Sequence, residues 1–339
     1  MDKLQQFLAK TIQALGKSNS SHLGDRSQYI GASDISGCPR KAVLSRQAPS
    51  QHSPTTQLRF AWGHLSQELF SRLFELGRLK FIEEVEIIHP QNPRIRCHID
   101  FLFKGKDGRY HVVEKKATKD IPAEPYQSWV DQLQFQMGML KRFYVEAKNC
   151  VIGGSVLAAS PLPKEDPKSL VNGVKEFNSF TPNDLVFDHL MKKADHILAA
   201  IDGKEEARCE PSLLCGTCPY NSNCPSRQMS NFVMPNDVID VAKAYLDLNE
   251  EKKKLEADVN RLKEELLKYT GNSFQGIHNG IAIKSYTVKD SVTVGSKKLK
   301  NDFPEAYKAC TKPKSGYTKL EVSEVKQVAE DHEQLKLAA

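Results

Sequence analysis

Residues 110–116 read YHVVEKK, a short apolar run that ends in a glutamate and two lysines. If the run is a β-strand, successive side chains point to opposite faces, so Glu114 and Lys116 share one face and Lys115 takes the other. Placing a carboxylate and an ammonium beside a packed core is costly unless a ligand uses them. The pattern therefore marks a candidate reactive site.

A second carboxylate, Asp100, lies in the preceding strand-like run, RCHIDFLF. The segment KGKDGR between the two runs predicts a turn, and a hairpin symmetric about Asp107 would bring Asp100 directly opposite Glu114. Paired carboxylates can bind Mg²⁺ or Mn²⁺, which activates water and neutralises phosphate, while a lysine steadies the nucleophile. This chemistry is phosphodiester hydrolysis. The alternative is an exposed cross-strand ion pair with no catalytic role.

A helix predicted over residues 56–78 carries His64. Its imidazole can serve as a third, neutral metal ligand, although a histidine in a helix is more often packed or exposed. The same helix carries a stripe of leucines, Leu65, Leu69, Leu73 and Leu76.

Three glutamines lie in a second helix, predicted over residues 128–147. The amides of Gln132 and Gln136 could reach the carboxylates or a nucleic-acid backbone, with a solvated helix face as the alternative. For Gln134 we expect the solvated face.

Four cysteines fall within residues 209–224, CEPSLLCGTCPYNSNC. A tetrahedral thiolate site needs four ligands, and three of them could be Cys215, Cys218 and Cys224. Cys38, in a turn near the N-terminus, is the remote candidate for the fourth ligand, and Cys209 is the local competitor. Zinc or an iron–sulfur cluster would satisfy four thiolates, whereas a redox CxxC or chance spacing is the alternative. A ligand from Cys38 would close a very long loop and stabilise the fold.

The elements that must hold these residues divide the chain into three parts. Residues 1–236 contain every candidate ligand, and residues 237–270 show a heptad pattern typical of a coiled helical arm. Residues 271–339 predict a small α+β segment, with strands in GIAIKSYTV and SVTV and a final charged helix.

The composition limits the functional classes. The chain has 339 residues, is 40% hydrophobic and carries a formal charge of +6 from 48 basic and 42 acidic residues, which weakly favours an anionic partner. The N-terminus predicts an amphipathic helix, and no stretch is long and apolar enough to span a membrane. We therefore expect a cytoplasmic protein, in the host cytoplasm if it is viral, where cysteines serve as metal ligands more often than as disulfides.

Taken together, these residues resemble the RecB-like branch of the PD-(D/E)XK nuclease superfamily, and in particular its iron–sulfur exonucleases, typified by the CRISPR-associated Cas-four family and AddB. The resemblance spans about residues 30–228. The chain supplies the family's series in order: Cys38, His64, Asp100, Glu114, Lys116, Gln132, Cys215, Cys218 and Cys224. It departs from the family at Gln136, where an aromatic residue is usual, and in the additional Cys209.

The resemblance implies an α/β fold with a mixed central sheet flanked by helices. It also implies a [4Fe-4S] cluster on Cys38, Cys215, Cys218 and Cys224, and Mg²⁺ or Mn²⁺ held by His64, Asp100, Glu114 and the backbone carbonyl of Lys115. The catalytic residues would be Asp100, Glu114, Lys116 and Gln132, and the activity would be that of a DNA exonuclease, commonly acting from 5′ ends.

The segment after residue 237 is more loosely similar to the C-terminal part of viral YqaJ-type recombination exonucleases. This favours phage-type recombination, with a single-strand annealing protein or a helicase as partner and a homo-oligomer formed through the arm. Two alternatives remain open: end-trimming during CRISPR spacer acquisition, and a non-catalytic zinc-ribbon protein that binds DNA.

Overall fold

Five strands form the central sheet in the order β1-β2-β3-β4-β5. The structure is a computed structural model, and it describes residues 3–19, 23–50, 52–162, 171–228, 234–288 and 295–311. The strand bounds are β1 Phe81–Ile88, β2 Arg96–Lys104, β3 Tyr110–Ala117, β4 Ile152–Ala159 and β5 Val174–Phe180. Neighbouring strands are antiparallel except β3 and β4, which are parallel. The sheet is therefore mixed, as the sequence predicted.

Helices of the same unit precede, interrupt and follow the sheet. Their bounds are α1 Lys3–Asn19, α2 Ala32–Ile35, α3 Pro39–Gln47, α4 Pro54–Leu76, α5 Gln127–Phe143, α6 Asp184–Ile201 and α7 Pro225–Gln228. A parallel strand pair needs a crossover connection, and α5 lies in the one that joins β3 to β4. Short 3₁₀ turns, Leu213–Thr217 and Asn221–Asn223, lie in the cysteine-rich segment.

The sheet has a hydrophobic cluster on each face. The larger cluster joins the sheet to α5 and α6 and includes Leu133, Phe135 and Phe187. The smaller cluster includes Phe70 of α4 and Phe101 of β2. The crossover helix α5 is thus buried, and α4 covers the opposite face.

The leucine stripe of α4 does not form this contact. Leu65, Leu69, Leu73 and Leu76 are exposed, and Leu76 retains 82% of its accessible surface. Phe70 and Phe74 of the helix pack against sheet residues in the smaller cluster, so a different face of α4 meets the sheet.

A second unit follows, with the division between Asp237 and Val238. It contains most of the long helix α8, Asn236–Thr270, a hairpin of β6 Ser273–His278 and β7 Ile281–Tyr286, and the short helices α9 Ser296–Asp302 and α10 Pro304–Cys310. The expected SVTV strand at 291–294 and the final charged helix lie outside the described residues. No helix in the described part of the chain combines the length and apolarity needed to cross a membrane.

Candidate active site

The β2–β3 hairpin brings the two predicted carboxylates together. Its register pairs Phe101 with Val113, and the next position along each strand is Asp100 and Glu114. The backbone N–H of Lys115 donates to Asp100 Oδ2 at 2.7 Å. Burial, followed by the charge of Glu114, raises the pKa of Asp100 well above its usual value. The charge of Glu114 therefore disfavours the charged form of Asp100.

Glu114 is 2% exposed and is held by three donors. Its Oε1 atom lies 2.7 Å from Lys116 Nζ and accepts from Gln132 Nε2 at 2.8 Å. Its Oε2 atom accepts from Gln136 Nε2 at 2.5 Å. Lys116 Nζ also donates to Gln132 Oε1 at 2.7 Å, so the lysine, the glutamate and Gln132 form a closed network.

Lys115 points to the opposite face of β3, as strand alternation predicts. Its Nζ atom donates to the carbonyl oxygen of Gly63 at 2.9 Å and contacts Ser66 Oγ, both on α4. Burial lowers the pKa of Lys115 to about 8. The bonded residues flank His64, so Lys115 fixes the helical turn that carries the histidine.

His64 itself is half-buried on α4. Among the residues that the structure describes, no three or more His, Cys, Asp or Glu side chains lie close enough together to hold a metal ion. The structure thus brings together Asp100, Glu114, Lys116 and Gln132 but does not add His64 to that group. The metal-binding roles stay predictions.

Five cysteines line one cavity of about 740 Å³, together with Lys116 and Gln132. The five are Cys38, Cys209, Cys215, Cys218 and Cys224. The cavity therefore connects the cysteine-rich segment with the carboxylate network.

Cys38 lies at the start of α3, far in sequence from the other four cysteines. The backbone N–H of Glu210 donates to Cys38 Sγ at 3.4 Å, and Arg40 N–H donates to the carbonyl oxygen of Arg208 at 3.0 Å. The N-terminal turn and the cysteine-rich segment are thus joined by one backbone–backbone hydrogen bond and one bond to the Cys38 sulfur.

Hydrogen bonds to sulfur and a nearby cation make this cavity suitable for thiolates. Ser212 N–H donates to Cys215 Sγ at 3.2 Å, and Arg40 acts electrostatically on Cys224. Burial tends to raise the pKa of Cys224, but hydrogen bonds with Ser226 and Cys209, together with the charge of Arg40, outweigh it and lower the pKa. The Cys209 and Cys224 sulfurs lie 3.9 Å apart, so the extra cysteine lies beside one of the expected ligands.

Gln134 differs from the expectation of a solvated face, whereas Gln136 reaches a carboxylate as expected. Gln134 is 7% exposed rather than solvated, because its Nε2 donates to the Thr181 carbonyl at 3.0 Å and its Oε1 accepts from Asn183 N–H at 2.9 Å. Gln136 is fully buried against Glu114. The sequence holds a signal for both, because Leu133, Phe135, Met137 and Met139 alternate with them and place apolar groups on two opposite sides of the helix.

Glu84 of β1 is a third carboxylate near Asp100 that sequence reasoning missed. Its charge adds to the rise in the Asp100 pKa. Its backbone has φ of 50°, a left-handed conformation that is strained for a residue other than glycine. Gln67 of α4 donates to its carboxylate.

Several solved structures match this chain, among them three of low sequence identity. A crystal structure of SSO0001 matches with 16% identity and a TM-score of 0.44, covering 66% of this chain and 96% of that one. An alkaline exonuclease from Laribacter hongkongensis, LHK-Exo, matches with 13% identity and a TM-score of 0.35, covering 53% of this chain and 90% of that one. Its complex with dAMP matches with 15% identity and the same TM-score and coverage. No curated protein sequence matches this chain.

The family comparison covers more than half of the chain. A sequence model of the PD-(D/E)XK nuclease superfamily matches residues 32–225, a range that contains β2, β3, α5 and all five cavity cysteines. The matched region includes the Asp100, Glu114 and Lys116 network. The chain therefore belongs to the PD-(D/E)XK nuclease superfamily.

Proposed function

We propose that this protein is a metal-dependent DNA exonuclease that digests one strand, 5′ to 3′, and leaves single-stranded tails for phage-type recombination or replication. The observation that carries the proposal is the closed network of Glu114, Lys116 and Gln132 beside Asp100. An ordinary ion pair would not need a buried glutamate beside a second carboxylate, Asp100, whose pKa is raised by burial and by the charge of that glutamate. A bound cation that neutralises Asp100 and Glu114 explains why two carboxylates lie side by side here.

The ligand we propose is Mg²⁺ or Mn²⁺, bound by Asp100, Glu114, the backbone carbonyl of Lys115 and His64. The carboxylates fit this choice because Mg²⁺ commonly takes one or two of them and completes its shell with water and phosphate oxygens. When bound, the ion would supply a hydroxide nucleophile at neutral pH and neutralise the scissile phosphate.

The protein groups have separate tasks in this mechanism. Glu114 and Asp100 would bind the metal ion. The positive charge of Lys116 would steady the nucleophile or the phosphoryl oxygens. Gln132 holds Lys116 through its Oε1 atom and Glu114 through its Nε2 atom. The neutral amide of Gln132 therefore orients both charged groups and adds no charge to the site.

The test is cleavage of end-labelled single-stranded and duplex DNA with Mn²⁺. We expect Glu114→Gln and Lys116→Met to lose at least about 100-fold in rate while retaining the fold, because each removes a charged group of the reaction centre. Lys141→Met is the matched control, since Lys141 also makes a 2.7 Å ion pair, with Asp184, but lies on an exposed surface. Equal rates for Lys116→Met and Lys141→Met would refute the assignment.

We further propose that Cys38, Cys215, Cys218 and Cys224 bind a [4Fe-4S] cluster. Support comes from the shared cavity and from the N–H donors to Cys38 and Cys215, which stabilise thiolates. Anaerobic purification should give a brown protein with iron and acid-labile sulfide. A colourless zinc protein that binds DNA without cutting it would instead support the zinc-ribbon alternative.

The helix α8 suggests how the protein assembles. Val241, Leu248, Leu255 and Leu262 form one exposed seam, with Lys252 at the other seam position. We propose that a second copy covers this seam in a parallel coiled coil. The flanking positions hold Glu251, Asp258 and Glu265, which would face each other in an antiparallel pair, whereas a parallel pair brings Lys252 near Glu251 of the second copy. A single-strand annealing protein or a helicase remains the alternative partner for the arm.

A further inference from the structure

Gln136 is a fully buried amide at the centre of the crossover helix α5. Its Nε2 atom donates to Glu114 Oε2 at 2.5 Å and to the carbonyl oxygen of His98 at 2.8 Å. Its Oε1 atom is buried and has no hydrogen-bond partner among the described residues. The amide can take only this orientation, because a flip would turn its oxygen toward two other oxygens.

A purely structural role does not explain this arrangement. Gln134, two residues earlier on the same helix, shows how α5 holds a buried glutamine for structure: both ends of its amide are bonded to backbone groups, at Thr181 and Asn183. Gln136 leaves its acceptor unpaired, and an unpaired buried acceptor is destabilising. What Gln136 supplies is a donor to Glu114.

The bond to His98 places this donor just beyond the end of the β2–β3 hydrogen-bond ladder. Ladder pairs between β2 and β3 run from Lys104 with Tyr110 to Phe101 with Val113. His98 and Glu114 lie beyond the last pair, where β2 and β3 have no further backbone ladder pair and Lys115 N–H bonds to the Asp100 side chain instead. Gln136 bridges the two strands there, from the β2 backbone to the β3 carboxylate.

Each oxygen of Glu114 therefore has its own amide, one turn apart on α5. Gln132 and Lys116 hold Oε1, and Gln136 holds Oε2. With Oε1 alone held, the carboxylate could still turn about its terminal bond. With both oxygens held, only one orientation remains.

We propose that Gln136 is a positioning residue that fixes the Glu114 carboxylate for divalent-metal binding. This inference rests on the proposed function, and it assigns a role to the position where the chain departs from the family's usual aromatic residue. Second-layer hydrogen bonds of this kind commonly change metal affinity or activity by about 10–100-fold when removed. Gln136 should thus act on metal affinity and leave DNA affinity unchanged.

The test compares Gln136→Met with Gln134→Met, which both replace a buried amide on α5 by a thioether of similar length. Mn²⁺ binding to the full chain, measured by calorimetry, should weaken about 10-fold or more for Gln136→Met and remain within about twofold of wild type for Gln134→Met. Cleavage by Gln136→Met should recover at high Mn²⁺, with the KM for DNA unchanged. Gln134→Met should lower Tm, and high Mn²⁺ should not restore any cleavage that this variant loses.

Each outcome separates the inference from the proposed function. If Gln136→Met and Gln134→Met bind Mn²⁺ equally well, Gln136 has no positioning role. If Gln136→Met and Gln136→Asn both fail to fold while Gln134→Met folds, Gln136 is structural and the inference is wrong. If wild type neither binds Mn²⁺ nor cuts DNA, the proposed function fails, and with it the basis of this inference.

Discussion

Asp100→Asn should make the metal-free protein more stable and inactive. Asn retains an oxygen that can accept from Lys115 N–H, so the 2.7 Å bond to Asp100 Oδ2 has a replacement. What the substitution removes is a half-buried charge next to Glu114. Because burial and Glu114 raise the pKa of Asp100 in the folded state, the unfolded chain gives up this proton at a lower pH. The group therefore destabilises the fold as the pH rises above about 4, and Asn does not.

The size of the effect follows from the hairpin geometry. Side chains opposite each other on antiparallel strands are about 5.5 Å apart, and two like charges at that distance repel by roughly 3 kcal/mol at an effective dielectric constant of about 20. Attraction to Lys116 offsets part of this repulsion, so we expect a net gain of about 1–3 kcal/mol. For a unit of this size, Tm should then rise by roughly 2–6 °C.

The assay is thermal unfolding in EDTA and then with saturating Mn²⁺. Wild type should gain about 2–3 kcal/mol of stability from an ion present at about 100 times its Kd, and Asp100→Asn should gain little. The control is Asp107→Asn, at the exposed turn of the same hairpin, which should change stability by less than about 0.5 kcal/mol. A Tm for Asp100→Asn that is equal to or below wild type in EDTA would show that the two carboxylates do not oppose each other.

Three further predictions concern the supporting elements. The unfolded chain keeps the Lys115 proton up to its usual pKa of 10.5 and the folded chain only up to about 8, so the free energy of unfolding should rise by up to about 3 kcal/mol between those pH values. Urea titrations in EDTA should show that Lys115→Met removes this rise, and an unchanged rise would contradict the burial of its ammonium. Cys215→Ser should remove bound iron and acid-labile sulfide and lower Tm, whereas Cys209→Ser should retain the iron; the reverse result would show that the proposed ligand set is wrong. A chain ending at residue 235 should stay folded and cut DNA but show a lower mass by light scattering, and an unchanged mass would exclude assembly through α8.

The carboxylate hairpin could be predicted because its signals are local. Strand alternation, a turn at KGKDGR and equal arm lengths fix the β2–β3 register, and the structure has the bounds Arg96–Lys104 and Tyr110–Ala117 with that register. Local alternation also predicts that Lys115 points away from Glu114. It cannot predict where Lys115 goes, because its partners on α4, Gly63 and Ser66, lie about fifty residues earlier in the chain.

The leucines of α4 show a second limit of periodicity. A stripe at helical spacing indicates that one face of a helix is apolar, but it does not say what covers that face. In α4 the sheet is met by Phe70 and Phe74, while Leu65, Leu69 and Leu73 stay exposed. Which face meets the sheet depends on packing among the aromatic residues of the smaller core, where the rings of Phe74 and Phe101 lie 5.1 Å apart.

The difference between the predicted and observed surroundings of Gln134 has a more general cause. The prediction of a solvated face assumes that α5 has such a face. The crossover helix of a parallel pair instead lies between the sheet and α6, and Gly138 is so close to α6 that an added Cβ would lie 2.0 Å from the Phe187 ring. A helix enclosed in this way has no solvated side along its centre, so every polar side chain there needs a specific partner. For Gln134 that partner is the backbone near α6, and for Gln136 it is Glu114. Polar residues inside a largely apolar stretch of a crossover helix are therefore candidates for site support, and Gln136, which stands between Phe135 and Met137, carries that signal in the sequence.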